Sequence, residues 1–325
     1  MKKALTIAGI TVQPGEKVKH TYTIPDANGM TLPVVIINGA EDGKVFLASA
    51  GIHGAEYPGI QACIELAEEL DPNRIRGAVI LIPVVNLSGF YGRKPYICPA
   101  DEEQKNLNRV FPGSPDGTNA EKLAYFMTEE IIRQCDFHVD LHSGDMVESL
   151  EEFCAVANTQ DPELRAYITE AAKHTSFSHR IQSGGQREVY NRTANGLGIP
   201  AMLFERGGGG RVVPEEITRN KTDLVSLMQF LEILPGTPID SSDRQIYYPV
   251  HRWIEAVESG CCYSYVKVGD EIRKGQLLCE IRDPFGNLLQ SVTAECDGRV
   301  KILNNCLGIA AGDDLIMYGS TREEQ

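Results

Sequence analysis

Three side chains in this sequence have the types and order of a metal site. His53 and Glu56 form an H-x-x-E pair, and His142 lies far downstream. Two imidazoles and one carboxylate are a standard set for catalytic zinc, here one ion per chain, with a fourth position left for water whose pKa falls to about 7 on the metal. Alone, an H-x-x-E pair is common on solvated helices and loops, so the weight rests on the combination. Asp140 and His138 share a strand face with His142 by period-two alternation, and Asp140 is suited to orient a ligand. Hydrolysis at a metal also needs a base to take a proton and a cation for the developing oxyanion. Glu205 closes the apolar run AMLFE and opens onto Arg206 and Gly207–Gly210. A carboxylate there, with glycines leaving room for substrate, suits the base; a capping or surface glutamate is the alternative. Asn108 and Arg109, within NLNRVFPG, have the groups to bind a substrate carboxylate, the arginine through its planar fork. An ordinary loop arginine is the alternative.

The elements around these residues alternate. Residues 1–40 read as strands and turns, with strands over 4–12, 18–24 and 32–37. VFLASA (45–50) is a short continuous apolar run, the pattern of a strand buried on both faces. GIHGAE follows it directly, and Pro58 then marks a helix start whose apolar positions, Ile60, Cys63, Ile64, Ala67 and Leu70, recur at helical spacing. In open α/β sheets, ligands bind beyond the carboxyl ends of strands, where a loop can aim both His53 and Glu56 at one point. A second buried strand spans 78–85, and a long polar loop spans 86–117, a length usual for functional loops. Helices are expected over 120–134, 161–175, 186–197 and 215–234, with strands at 137–142 and 201–205. This gives an α/β fold with a mostly parallel mixed sheet covered by helices on both faces. From about Gly236 helical periodicity stops and short strands with Gly-Asp turns take over. The expected division is a catalytic domain over 1–240 and a small all-β domain over 241–325.

Composition bounds the rest. The 325 residues are 42% hydrophobic and 23% charged, ordinary for a globular chain, and carry a formal net charge of -14. That acidity argues against a nucleic-acid surface, but a local arginine cluster can still capture a small anionic substrate. No apolar run approaches the roughly 18 residues of a membrane helix. The N-terminal run after Lys2 and Lys3 is broken at Gly9 and offers no cleavage site, so it reads as a strand rather than a signal peptide. Nine scattered cysteines with no CxxC read as reduced, buried thiols, and the expected location is cytoplasmic.

Four motifs in order, GIHGAEYPG, NLNRVFPG, DLHSG and FERGGGG, resemble the succinylglutamate desuccinylase/aspartoacylase family, a branch of the zinc carboxypeptidase clan. The resemblance covers about residues 45–215, and the β tail is similar to that family's C-terminal domain. It implies zinc on His53, Glu56 and His142, Glu205 as general base and acid, and Asn108 and Arg109 on the substrate's α-carboxylate. The family's further arginine for the oxyanion falls best on Arg93. The small β domain resembles a biotinyl/lipoyl hammerhead, yet no lysine lies between Gly275 and Arg299, with the tip expected at 283–287. It is therefore expected to wall the cleft or mediate homo-oligomerisation, not to carry lipoate or biotin. The leading functional expectation is a zinc amidohydrolase acting on a small, anionic N-acyl amino acid. The alternatives are a carboxypeptidase-like zinc peptidase and a metal-free, non-catalytic binding protein.

Overall fold

The computed structural model describes residues 2–97, 106–182 and 188–321. A hairpin of β1 (Leu5–Ile7) and β2 (Ile10–Val12) precedes β3 (Glu16–Thr23), β4 (Thr31–Asn38) and β5 (Glu41–Ala50). Next come α1 (Tyr57–Glu69), β6 (Arg76–Ile82), α2 (Leu87–Gly92), α3 (Asn119–Phe126), β7 (Phe137–His142), β8 (Glu148–Leu150) and β9 (Phe153–Val156). They are followed by α4 (Pro162–Lys173), β10 (His179–Gln182), α5 (Val189–Leu197), β11 (Ala201–Glu205) and α6 (Pro214–Phe230). The remainder is strand: β12 (Ile246–Tyr248), β13 (Val250–Glu255), β14 (Gly260–Ser264), β15 (Glu271–Ile272), β16 (Leu277–Arg282), β17 (Leu288–Thr293), β18 (Gly298–Asn304), β19 (Gly308–Ile309) and β20 (Asp314–Ser320).

Two sequence expectations change in detail. The strand expected over 4–12 is split into a hairpin, because Ala8 and Gly9 both take positive φ (45° and 82°) and turn the chain back. The helix expected over 120–134 is α-helical only to Phe126, then continues through a π turn, Met127–Ile131, and a 3-10 turn, Ile132–Gln134. Residues 186 and 187 of the helix expected over 186–197 lie outside the described residues, and α5 begins at Val189.

Nine strands form the central sheet in the order β12-β10-β9-β11-β7-β5-β6-β4-β3. It is parallel from β12 to β9 and from β11 to β6, and antiparallel at β9–β11, β6–β4 and β4–β3. The central strands are apolar on both faces because both are covered. On one side Phe46, Ala48, Val139 and Leu141 pack with α1, α4 and α6; on the other Leu47, Ile80 and Ile82 pack with α3, the β1–β2 hairpin and Val189. Each fully buried Leu, Ile or Phe here contributes on the order of 2 kcal/mol. Because β5, β7 and β11 run parallel, their carboxyl ends lie side by side at one end of the strands.

The C-terminal region has its own core, including Leu278, Ile281, Val300, Ile316 and Tyr318, between the sheets β13-β20-β18-β15 and β17-β16-β14-β19. The two regions exchange strands. Strand β12 forms the edge of the large sheet, and β8 pairs antiparallel with β18, Leu150 opposite Ile302. Just past β8, Glu151 takes bonds from Arg299 (Nε to Oε2, 2.9 Å) and Lys301 (Nζ to Oε2, 2.7 Å). The cysteines among the described residues are free thiols, with Cys63, Cys135, Cys154 and Cys279 buried. Among the described residues no helix is long and apolar enough to cross a membrane.

Candidate metal centre

His53 sits in the turn that leaves β5. Gly54 beside it is required by packing: a Cβ there would lie 2.2 Å from the backbone of Gly89 and Phe90 in α2. Glu56 is the N-cap of α1, but its carboxylate makes no capping bond. It turns to the histidines instead, at the positive end of the helix, where an anion is favoured. His142 is the last residue of β7, and Glu205 ends β11 directly opposite it in the parallel register. Three chain segments far apart in sequence, carrying His53 with Glu56, His142 and Glu205, thus deliver their polar residues to one region.

The donor atoms converge. Glu56 Oε1 lies 2.7 Å from His53 Nδ1, and Glu56 Oε2 lies 2.9 Å from His142 Nδ1. The two Nδ1 atoms are 3.2 Å apart. One ligand atom from each of the three residues lies within 4.8 Å of the others, so the group could hold a metal ion. The far nitrogen of each ring is taken. His53 Nε2 faces Asn106 Oδ1 at 3.1 Å, and His142 Nε2 faces Asp140 Oδ2 at 2.7 Å. Each acceptor takes a proton on Nε2, so Nδ1, turned to Glu56, is the nitrogen that each ring would offer to a cation. Glu56 Oε2 also accepts the Ser143 N–H at 3.1 Å.

Charge follows this geometry. Burial pushes Glu56 up, but His53 and His142 outweigh it and hold its carboxyl at about 2. Burial opposes a charged His142, yet Asp140 and Glu56 draw its imidazole well above the ordinary range. Glu205 behaves oppositely: burial first, and then the charge of Glu56, hold its carboxyl well above the usual carboxylate range. Its Oε2 is buried and has no hydrogen-bond partner among the described residues.

The substrate-loop residues divide. Asn108 is buried; its Oδ1 accepts the Val189 N–H at 2.9 Å, and its Nδ2 comes within 3.5 Å of His142 Nε2. Arg109 is exposed, and its Nη1 donates to the Asn108 carbonyl at 3.2 Å. It lies close enough to Asp314 of the C-terminal region to pull down a carboxyl that burial pushes up. Arg93 occupies the C-cap of α2 in the left-handed conformation and is exposed, and no described contact joins it to the triad. Part of the loop that follows it, residues 98–105, lies outside the described residues.

Sequence reasoning missed three residues. Asn106 holds His53 and also accepts the Asn108 N–H at 2.9 Å. Ser49 donates to Asp140 Oδ1 at 2.7 Å. Arg206, next to Glu205, is fully buried: Nη2 pairs with Asp223 Oδ2 at 2.7 Å and Nε with Glu152 Oε2 at 2.8 Å, while the guanidinium lies 4.0 Å from the Phe177 ring centre. The glycine run after it is pinned rather than open, for Gly208 would place a Cβ 2.8 Å from the Glu148 carbonyl and Gly209 N bonds the Asp145 carbonyl at 2.9 Å.

Known proteins bear on this arrangement. The family described as the succinylglutamate desuccinylase/aspartoacylase catalytic domain matches residues 42–231. An N-alpha-acetyl-L-2,4-diaminobutyric acid deacetylase of Halomonas elongata is 28% identical over 300 residues, 90% of this chain and 86% of that one. Two solved structures share the fold: a succinylglutamate desuccinylase/aspartoacylase from Rhodobacter sphaeroides, TM-score 0.81 with 23% identity over 94% of both chains, and the product-bound ectoine utilization protein EutE (DoeB) from Ruegeria pomeroyi, TM-score 0.80 with 23% identity over 93% of both.

Proposed function

The chain belongs to the succinylglutamate desuccinylase/aspartoacylase family of hydrolases, and from that premise we propose that it is a zinc-dependent deacylase of small N-acyl amino acids. The observation that carries this reading is the pair of Nδ1 atoms and the Glu56 carboxylate turned to one point, with the Glu205 carboxyl beside them. The donor set fits zinc: two imidazole nitrogens and a carboxylate, each ring fixed from behind. Zinc held there would acidify a water and polarise the scissile carbonyl. Glu205 would take the proton released at that point and return it to the leaving amine, and its unpartnered Oε2 is the atom for that exchange. Asn108, anchored through Oδ1, would offer its amide N–H to the substrate, and Arg109 would pair with the substrate carboxylate. Arg93, exposed at the end of α2, is the proposed cation for the oxyanion.

N-acetylated amino acids, including diamino acids, are the first substrates to try, given the deacetylase relative. Zinc-loaded protein is expected to release carboxylic acid from them and to leave dipeptides intact. Cleavage of dipeptides without deacylation would replace this reading with a peptidase; no hydrolysis of either class by zinc-loaded protein would reject both. We further propose that residues 1–240 carry the catalysis and that 241–325 wall the cleft, since the charge of Arg109 acts on Asp314.

A further inference from the structure

Behind the metal centre runs a row of buried polar side chains that hydrolysis by itself does not require. Asp140 uses its two oxygens in opposite directions: Oδ2 accepts from His142 Nε2 and Oδ1 accepts from Ser49 Oγ, both at 2.7 Å. Ser49 and Asp140 are register partners on β5 and β7, so the sheet itself holds them together. Ser49 has one hydroxyl proton, and the carboxylate takes it. The 2.8 Å contact between Ser49 Oγ and His138 Nε2 therefore carries its proton on Nε2. His138 is fully buried and its Nδ1 faces Thr193 Oγ1 at 3.3 Å. Burial, against the pull of Asp140, lowers its imidazole to about 4, so the ring is neutral at neutral pH. Thr193 is tied by its hydroxyl to the Val189 carbonyl at 2.8 Å, and Val189 N–H is the donor that holds Asn108. Thr193 thus spends its one hydroxyl proton on that carbonyl and gives none to His138 Nδ1, so the donor row begins at His138 Nε2–H and ends at a ligand ring.

We propose that His138 and Ser49 are positioning residues for His142: in series they donate into Asp140, fix that carboxylate as the acceptor for His142 Nε2–H, and so keep the lone pair of His142 on Nδ1, facing Glu56 and His53. The inference rests on the metal reading above. Bonds in such a chain polarise one another in a low-dielectric interior, so removing a distant donor weakens the last acceptor. Partners behind a metal-binding histidine typically alter metal affinity by 10–100-fold when lost.

The test is zinc affinity, measured by competition with a coloured chelator, with thermal unfolding of the metal-free proteins alongside. Ser49→Ala and His138→Met are each expected to weaken zinc binding about tenfold. His138→Gln keeps an N–H where Nε2 lies and is expected to stay within about twofold of the wild type. The double variant Ser49→Ala/His138→Met is expected to bind no more weakly than the weaker single variant, because both cut one chain. Wild-type zinc affinity in Ser49→Ala and His138→Met, with or without lost thermal stability, would overturn the proposal, as would a double loss equal to the product of the two. If His138→Met fails to fold, Ser49→Ala, which removes one oxygen, decides alone. A wild-type protein that binds no zinc would overturn the metal reading and this inference with it; zinc-binding wild type with an unchanged Ser49→Ala overturns this inference only.

Discussion

At the scale of single residues, the division of labour follows from which atoms are already occupied. Nε2 of both histidines is spoken for by Asn106 and Asp140, and Nδ1 of both is turned to Glu56. His53→Ala or His142→Ala is therefore expected to abolish zinc binding, and metal analysis showing full zinc content in either variant would reject the assignment. Glu205 holds no ligand position, so Glu205→Gln is expected to keep its zinc and lose about 10²–10⁴-fold in kcat; near-normal turnover would mean that another group moves the proton. For Arg109 the competing charge within the protein is Asp314, whose carboxyl it pulls down. If Arg109 serves substrate, Arg109→Lys lowers kcat/KM for a carboxylate substrate and spares its carboxamide analogue, because an ammonium cannot reproduce the fork. Equal losses on the two substrates would assign Arg109 to its own protein's Asp314.

At the scale of elements, the site exists because three apolar strands end side by side. This much was legible in the sequence: His53 follows VFLASA, His142 closes FHVDLH and Glu205 closes AMLFE, and a polar residue at the end of a doubly buried strand has few other reasons to be there. The residues that support them were not legible. Ser49 reads as one small residue in a buried strand, and only the β5–β7 register places it opposite Asp140. Asn106 depends on the path of its loop, and Arg206 on α6 folding back over β11. The buried Arg206 fixes the chain just past Glu205. Burial pushes Asp223 up while Arg206 pulls it down, so removing the arginine strands an acid in the interior. Arg206→Met is expected to cost about 3–5 kcal/mol in denaturant unfolding. Adding Asp223→Asn should recover part of that loss; no recovery would mean that the cost lies in the Glu152 and Phe177 contacts instead.

At the scale of the whole molecule, the two regions are joined by strand β12 in the large sheet, by the β8–β18 pair and by the carboxylate of Glu151. Burial alone would raise Glu151, but bonds from Arg299 and Lys301 outweigh it and hold it at about 2. A carboxyl lowered by folding contributes stability that is complete above its unfolded pKa of about 4.5 and is lost as pH falls toward about 2. The contribution is of order 1–3 kcal/mol. Glu151→Gln should be destabilised at neutral pH, and its thermal midpoint should converge on the wild type's as pH falls from about 4.5 to about 2; parallel curves over that range would exclude the carboxylate as the source.

The same junction sets an order in time. Glu151 and β8 follow His142 within a few residues, yet the partners Arg299 and Lys301 stand 148 and 150 residues further along the chain. A ribosome adding about 5–20 residues per second needs about 8–30 s to make that stretch. Through that interval the nascent chain can assemble β5, β7 and the candidate histidine ligands while the edge of β8 waits unpaired for β18.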